Sequence, residues 1–364
     1  MWKNLQKQNL LRKLKNRKGR TISMLDSRQF KPITGTFVTP FINDTGINNW
    51  GRREWEADFR LMKSLGIDTI IVLRCEYEQG GRHFSGFDPR GTTWPEDPDL
   101  VSMYFRLCDE NNMDLYLGGV TSCSKLYRGD WQGDTLDNEK LYERMLEKFG
   151  NRKCFRGFYV TCEALPWHYN YADIVEGICD ACRRLDPKRP TLLSPTFNGL
   201  KGDMSSHYSP DEFREIFGRM FDRLAGKLDF CAWQDKFNDV ECDEGRILPN
   251  VLDEWYEAAG TFLARNKIAL WANVESFYRP FQPSTIGGEF HYRQNDYRVL
   301  AAKMQAASRH AEKLITFEFS TCMSPNAEWG SAGRLLQRYI EMVGIAPETV
   351  AWPEDTSICR PTGN

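Results

Sequence analysis

Two glutamates stand where a carboxylate could be used. Glu275 falls near the end of the run 268–277 (IALWANVESF), and Glu163 closes the run 155–163 (FRGFYVTCE). In the first run Ile268, Leu270, Ala272 and Val274 are apolar at every second position, with Ala269, Trp271, Asn273 and Glu275 between them. In the second, Phe158, Val160 and Cys162 alternate with Phe155, Gly157, Tyr159, Thr161 and Glu163. A period of two is a strand with one face covered. Each strand is therefore expected to deliver its glutamate at its C-terminal end, on a polar row. Burying a carboxylate costs several kcal/mol unless it is paired or used. Two carboxylates meeting at one cavity can share acid–base chemistry.

Other polar residues recur at predicted strand ends. Arg74 and Glu76 follow a run at 68–74, Gln234 and Asp235 end a run at 228–234, and Glu318 lies on a run at 314–320. Segments read as loops at the same end carry Trp94, Trp131, Trp167, His168, Tyr169, Phe277, Tyr278, Phe281 and Trp329. Flat aromatic faces beside carboxylates suit sugar rings, whose C–H groups stack while their hydroxyls seek charged acceptors. The expected substrate-binding set is Arg74, Glu76, Trp167, His168, Trp233, Gln234, Asp235, Asn273, Tyr278, Glu318 and Trp329, around Glu163 and Glu275.

The elements that must position these residues form a repeating pattern. Strands are predicted at 33–38, 68–74, 115–119, 155–163, 191–194, 228–234, 268–277 and 314–320. Helices are predicted at 50–65, 99–111, 138–149, 171–185, 210–224, 251–265, 294–312 and 332–343. Gly66 and Gly150 stop two helices, Pro187 closes another, and Ser209 with Glu212 has capping-box spacing. Strands alternating with helices imply parallel pairing, and eight such units close into a (β/α)8 barrel, an α/β single domain. An open doubly wound sheet would place a Gly-rich nucleotide turn after its first strand, and none is there. The barrel is expected over 32–346, after a basic extension at 1–31 and before a tail at 347–364.

Composition narrows the partners. With 41% hydrophobic and 27% charged residues the chain can fill a core, and a net charge of −2 gives no general case for nucleic acid or an anionic membrane. The first twenty residues hold eight Lys or Arg and no acid, but no apolar run of secretory-signal type follows. The eleven cysteines are scattered, mostly in apolar strands and helices, and Cys179 and Cys182 form a lone C-x-x-C without a second pair. Reduced thiols imply a cytoplasmic protein. No metal and no cofactor are expected, the partner is a carbohydrate substrate, and the oligomeric state is open.

Glutamates ending strands four and seven resemble the acid/base and nucleophile of the large clan of retaining glycoside hydrolases with this barrel. An arginine at the end of strand two, which in that clan steadies the nucleophile, is matched by Arg74. The sequence also resembles a bacterial family known as domain of unknown function 4434. The matching pieces are ITGTFVTPF from Ile33, W-x-x-x-F-x-x-M-K-x-L-G-I-D-T from Trp55, GFYVTCE from Gly157, LLSPTF from Leu192 and DFCAWQD from Asp229. The resemblance implies a retaining glycosidase, with Glu163 as acid/base and Glu275 as nucleophile. Cys162 stands where the clan has Asn, Trp233-Gln234-Asp235 replaces an aromatic hydroxyl on strand six, and the tryptophan of strand eight is absent. Two other readings stay open. One is a metal-dependent sugar isomerase or epimerase using Glu163, His207, Asp235 and Glu275. The other is a carbohydrate-binding barrel without activity.

Overall fold

The structure is a computed structural model describing residues 30–39, 47, 50–79, 81–88, 97–122, 125, 128–162, 171–197, 209–235, 248–278, 293–328 and 331–354. In chain order the elements are β1 (Ile33–Val38), α1 (Arg52–Ser64), β2 (Thr69–Val72), β3 (Glu76–Gln79), β4 (Arg82–Ser85), α2 (Leu100–Asn111), β5 (Asp114–Gly118), β6 (Val120–Ser122), α3 (Trp131–Phe149), β7 (Phe155–Val160) and α4 (Tyr171–Leu185). They continue with β8 (Thr191–Leu193), α5 (Pro210–Asp222), β9 (Phe230–Gln234), α6 (Leu248–Arg265), β10 (Ala269–Asn273), β11 (Phe277–Tyr278), β12 (Arg293–Gln294), α7 (Tyr297–His310), β13 (Lys313–Thr316), α8 (Phe319–Cys322) and α9 (Ala332–Val343).

Eight strands pair in parallel around a closed barrel in the order β1-β13-β10-β9-β8-β7-β5-β2, and β2 returns to β1. The fold is a (β/α)8 barrel. Closure joins the two ends of the chain: Ile33 pairs with Leu314, and the Ile33 amide donates to the Tyr339 hydroxyl of α9 at 2.9 Å.

The helices form where capping is available. Asp99 accepts from the Ser102 amide at the start of α2, and Ser209 and Glu212 form the reciprocal box that opens α5. Each helix lays its apolar face on the outer surface of the barrel. This gives one continuous outer core, with Ile70, Val72, Phe158, Val160, Cys231, Trp233, Leu270, Ala272 and Val274 as its strand side. A second cluster fills the interior: Phe37, Ile71, Leu73, Tyr116, Tyr159, Leu192, Ala232, Trp271 and Ile315. Both faces of most strands are therefore dry, as barrel geometry requires.

The structure departs from the sequence expectation in three places. The segment between β2 and α2, read as a plain loop, contains the antiparallel β3–β4 pair, which β6 extends into a three-stranded sheet. The eighth strand stops at Thr316, and the chain then turns into the short helix α8 instead of continuing to residue 320. The alternation along β7 is interrupted as well. Leu115 faces Phe155 but Tyr116 faces Gly157, so Arg156 is an extra residue and Phe155 packs outward with Phe158. Gly157 then comes so close to the Tyr116 ring that a Cβ there would lie 2.3 Å from it.

Candidate active site

Alternation along the last strands sorts their side chains. On β10, Trp271 points into the barrel while Leu270, Ala272 and Val274 face the helices. Asn273, bonded to Ser194, continues the inward set, and Glu275 follows two positions beyond it, just past the end of the strand. On β9, Ala232 points inward, and Cys231 and Trp233 point out. Above the apolar interior lies a tier of amides and hydroxyls at the C-terminal ends of the strands. Gln234 donates through Nε2 to the Ser194 carbonyl at 2.6 Å. Asn273 donates through Nδ2 to the Ser194 hydroxyl at 3.3 Å, and that hydroxyl donates to the Ala232 carbonyl at 2.7 Å. Thr161 accepts from the Gly119 amide at 2.7 Å and donates to the Leu73 carbonyl at 3.1 Å.

The tier has unused capacity. Asn273 Oδ1 and Thr196 Oγ1 are both buried and have no hydrogen-bond partner among the described residues, although Asn273 is only 1% and Thr196 only 5% exposed. Buried polar atoms in native proteins are nearly all satisfied, so these two retain capacity for one more polar partner each. Glu275 is 6% exposed at this level. Its backbone carbonyl accepts from Asn295 Nδ2 at 2.8 Å and from Lys303 Nζ at 3.1 Å.

Four residues expected to bind substrate are engaged elsewhere. Trp233 is fully buried in the outer core, where it stacks on Phe197 at 5.1 Å and meets Phe213 and Phe217 edge-on. Asp235 shares its outward parity and lies 2.7 Å from Lys303 of α7, both completely buried. Its carboxylate is thus engaged by an ion pair, where the isomerase reading expected a metal ligand and the glycosidase reading a sugar contact. Glu76 is drawn to the flank, 2.8 Å from Arg144 of α3 and 3.5 Å from His83. Glu318 is 1% exposed beneath α8, where Thr39 donates to Oε2 at 2.7 Å and Thr321 donates to Oε1. Burial pushes its carboxyl up to about 7, against the lowering effect of the two threonines, and nearby Asp58 adds to the rise. Trp131, read as a loop aromatic, opens α3 and packs on the outer core.

Arg74 stays at the end of β2, with its guanidinium 4.8 Å above the Tyr77 ring and its Nε buried without a hydrogen-bond partner among the described residues. Glu163, Trp167, His168, His207 and Trp329 lie outside the described residues, as does the side chain of Tyr278. Sequence reasoning missed Ser194, Thr196, Asn295 and Lys303. The first two were legible as polar residues two apart after Leu192. Lys303 was legible as a lone charge within the apolar run AAKMQAA.

Residues 33–329 match the family described as Domain of unknown function (DUF4434). The chain belongs to this family. A crystal structure of a candidate alpha-L-fucosidase from Bacteroides thetaiotaomicron is similar to this DUF4434 protein, with 28% sequence identity and a TM-score of 0.75, covering 90% of this chain and 98% of that one. A chitinase from Pseudoalteromonas aurantia shares the barrel alone, at 10% identity and a TM-score of 0.51, covering 84% of this chain and 99% of its own. No curated protein matches the sequence. Among the described residues of this DUF4434 chain, no helix is long and apolar enough to cross a membrane.

Proposed function

We propose that this protein is a glycosidase that cleaves its substrate with retention of anomeric configuration. The observation that supports this reading is a nearly buried glutamate, Glu275, two positions past Asn273, whose carboxamide oxygen is buried with no partner among the described residues. A carboxylate set in a tier of hydroxyls and amides with spare hydrogen-bonding capacity suits a polyhydroxylated ligand. Glu163 lies two positions beyond the interior residue Thr161, the parity that the sequence assigns to it.

In this mechanism the Glu275 carboxylate attacks the anomeric carbon as Glu163 protonates the departing oxygen. A glycosyl–enzyme ester forms. Glu163, now ionised, takes a proton from water, and the hydroxyl displaces Glu275 at the same carbon. Retention requires the two carboxyl groups about 5–5.5 Å apart, whereas a gap of about 6.5–9.5 Å leaves room for water and gives inversion. Arg74, with its buried Nε near the same mouth, supplies positive charge to the ionised nucleophile. Similarity to the Bacteroides protein makes alpha-L-fucosides the first substrates to try.

The test is a panel of aryl glycosides, led by an alpha-L-fucoside, with the product anomer followed by NMR. Glu163→Gln and Glu275→Gln should each lower kcat by at least about 10³-fold, and azide should rescue Glu275→Ala as a glycosyl azide. Full turnover by Glu275→Ala would overturn the assignment.

A further inference from the structure

Helix α7 buries Val299, Leu300, Ala301, Ala302, Met304, Ala306 and Ala307 against the barrel, and Lys303 in the middle of that face is 0% exposed. Taking an ammonium out of water is expensive, and an apolar side chain of similar volume usually holds two elements together as well or better. Methionine would fill this place. A lysine here needs a reason other than adhesion.

Its contacts supply one. The Lys303 ammonium lies 2.7 Å from Asp235 Oδ1, just past the end of β9, and donates to the Glu275 carbonyl at 3.1 Å, just past the end of neighbouring β10. Asn295 donates a second hydrogen bond to that carbonyl, at 2.8 Å, and its own amide donates to the Ser276 carbonyl at 2.8 Å. Ser276 in turn donates its amide to the Phe317 carbonyl at 3.1 Å, beyond β13. With two donors on one carbonyl and the next amide engaged, the peptide after Glu275 cannot rotate. Loss of that anchorage frees the strand end at residues 275–276 to shift, and the Glu275 side chain moves with its own backbone. Asp235 neutralises the ammonium, so the pair orients Glu275 without imposing a net charge on it. Among the described residues, the titratable groups that act on them include the buried Tyr256 hydroxyl of α6, influenced by Asp235 and Glu275, and the buried Cys322 thiol of α8, influenced by Glu275.

We propose that the buried Lys303–Asp235 pair is a positioning device that fixes the backbone of Glu275 and so aims its carboxylate into the mouth. The kinetic part of this proposal rests on the reading of Glu275 as nucleophile; the geometric part does not. The variants are Lys303→Met and the double variant Lys303→Met/Asp235→Asn, the second leaving no uncompensated charge. The double variant should keep a melting temperature close to that of the wild type, whereas Lys303→Met alone, which strands the buried Asp235 carboxylate, should melt lower. On the aryl glycoside that the wild type cleaves, kcat should fall about 10²-fold with KM changed less than about threefold, since a misdirected nucleophile is felt in the chemical step. The two losses should be equal, because both variants remove one device.

A second measurement needs no substrate. Water-soluble carbodiimide with glycine ethyl ester labels accessible carboxyls, and peptide mass spectrometry follows the rate at Glu275. In both variants that rate should rise at least fivefold, with Glu348 on the surface as internal reference. Unchanged labelling, or wild-type kcat in a folded double variant, overturns the positioning role. Faster labelling in the variants of a protein that cleaves no glycoside would sustain the positioning role and refute the glycosidase.

Discussion

Asn273 and Trp233 are a short distance apart on adjacent strands, yet their substitution should have opposite consequences. Asn273→Ala removes one 3.3 Å hydrogen bond and an already unsatisfied oxygen, so stability should change by less than about 1 kcal/mol. Its effect should fall on sugar turnover, a loss in kcat/KM of roughly tenfold or more for one substrate hydrogen bond. Trp233→Ala should destabilise by about 3–5 kcal/mol, because it empties an aromatic cluster shared by Phe197, Phe213, Phe217 and Phe221. The activity of the molecules that remain folded should be near normal. Urea unfolding and initial-rate measurements on the same samples separate the two. The sequence singled out Asn273 and Glu275 because Leu270, Ala272 and Val274 mark the opposite parity as apolar. It misled at Trp233 and Asp235 because β9 is dry on both faces until its last residue, and periodicity carries no parity in such a strand.

The order and type of the barrel elements were legible because each helix has a cap, a stop or an apolar stripe of its own. The β3–β4 pair was not. Its Tyr77 and Phe84 face each other across the ladder with ring centroids 6.4 Å apart, but the residues around them are charged and alternate too briefly to be separated from loop. The end of the eighth strand was overextended for a related reason. Phe317, Glu318 and Phe319 look like a strand in sequence, and only Glu318's bonds to Thr39 and Thr321 reveal the turn. Close approach of neighbouring strands is a constraint of the same order. A Cβ at Gly118 would lie 2.3 Å from the Leu73 carbonyl oxygen and 2.5 Å from that of Val72, both backbone atoms of the adjoining strand or its continuation. Gly118→Ala should therefore cost at least about 2 kcal/mol, since only separation of β2 and β5 relieves the overlap. Thermal unfolding of the single variant tests this.

Acidity acts on the fold through two buried carboxyls, Asp58, which ties α1 to α8, and Glu318, which ties the end of β1 to α8. Asp58 accepts from the Ser320 hydroxyl at 2.7 Å, and burial raises its carboxyl to about 7, as it does that of Glu318. In the unfolded chain both titrate near ~4. The folded state thus binds their protons more tightly, and their contribution to stability is fully present below about pH 4. It declines as pH rises to about 7 and is lost above that, at about 1.4 kcal/mol for each pH interval of one between the unfolded and folded values. Glu318→Gln should flatten the stability curve between about pH 4 and 7 and match or exceed the wild type at the upper end, read from urea midpoints across that range. Surface carboxylates such as Asp222 and Glu176, held low by hydrogen bonds from Asn266 and Arg265 and from Lys227 and Arg223, act in the opposite sense. They lose stability as pH falls through their depressed values, so the comparison belongs to the difference between variant and wild type. The pairing of Ile33 with Leu314, and the hold of Tyr339 on the Ile33 amide, also bear on how the protein is made. On the ribosome β1 is made long before β13, and one of its edges waits for that partner until some 280 further residues have emerged. For that interval a nascent chain carries an open strand edge, the feature through which polypeptides associate wrongly. Circular pairing itself thus postpones the sealing of this edge to the last stage of barrel synthesis.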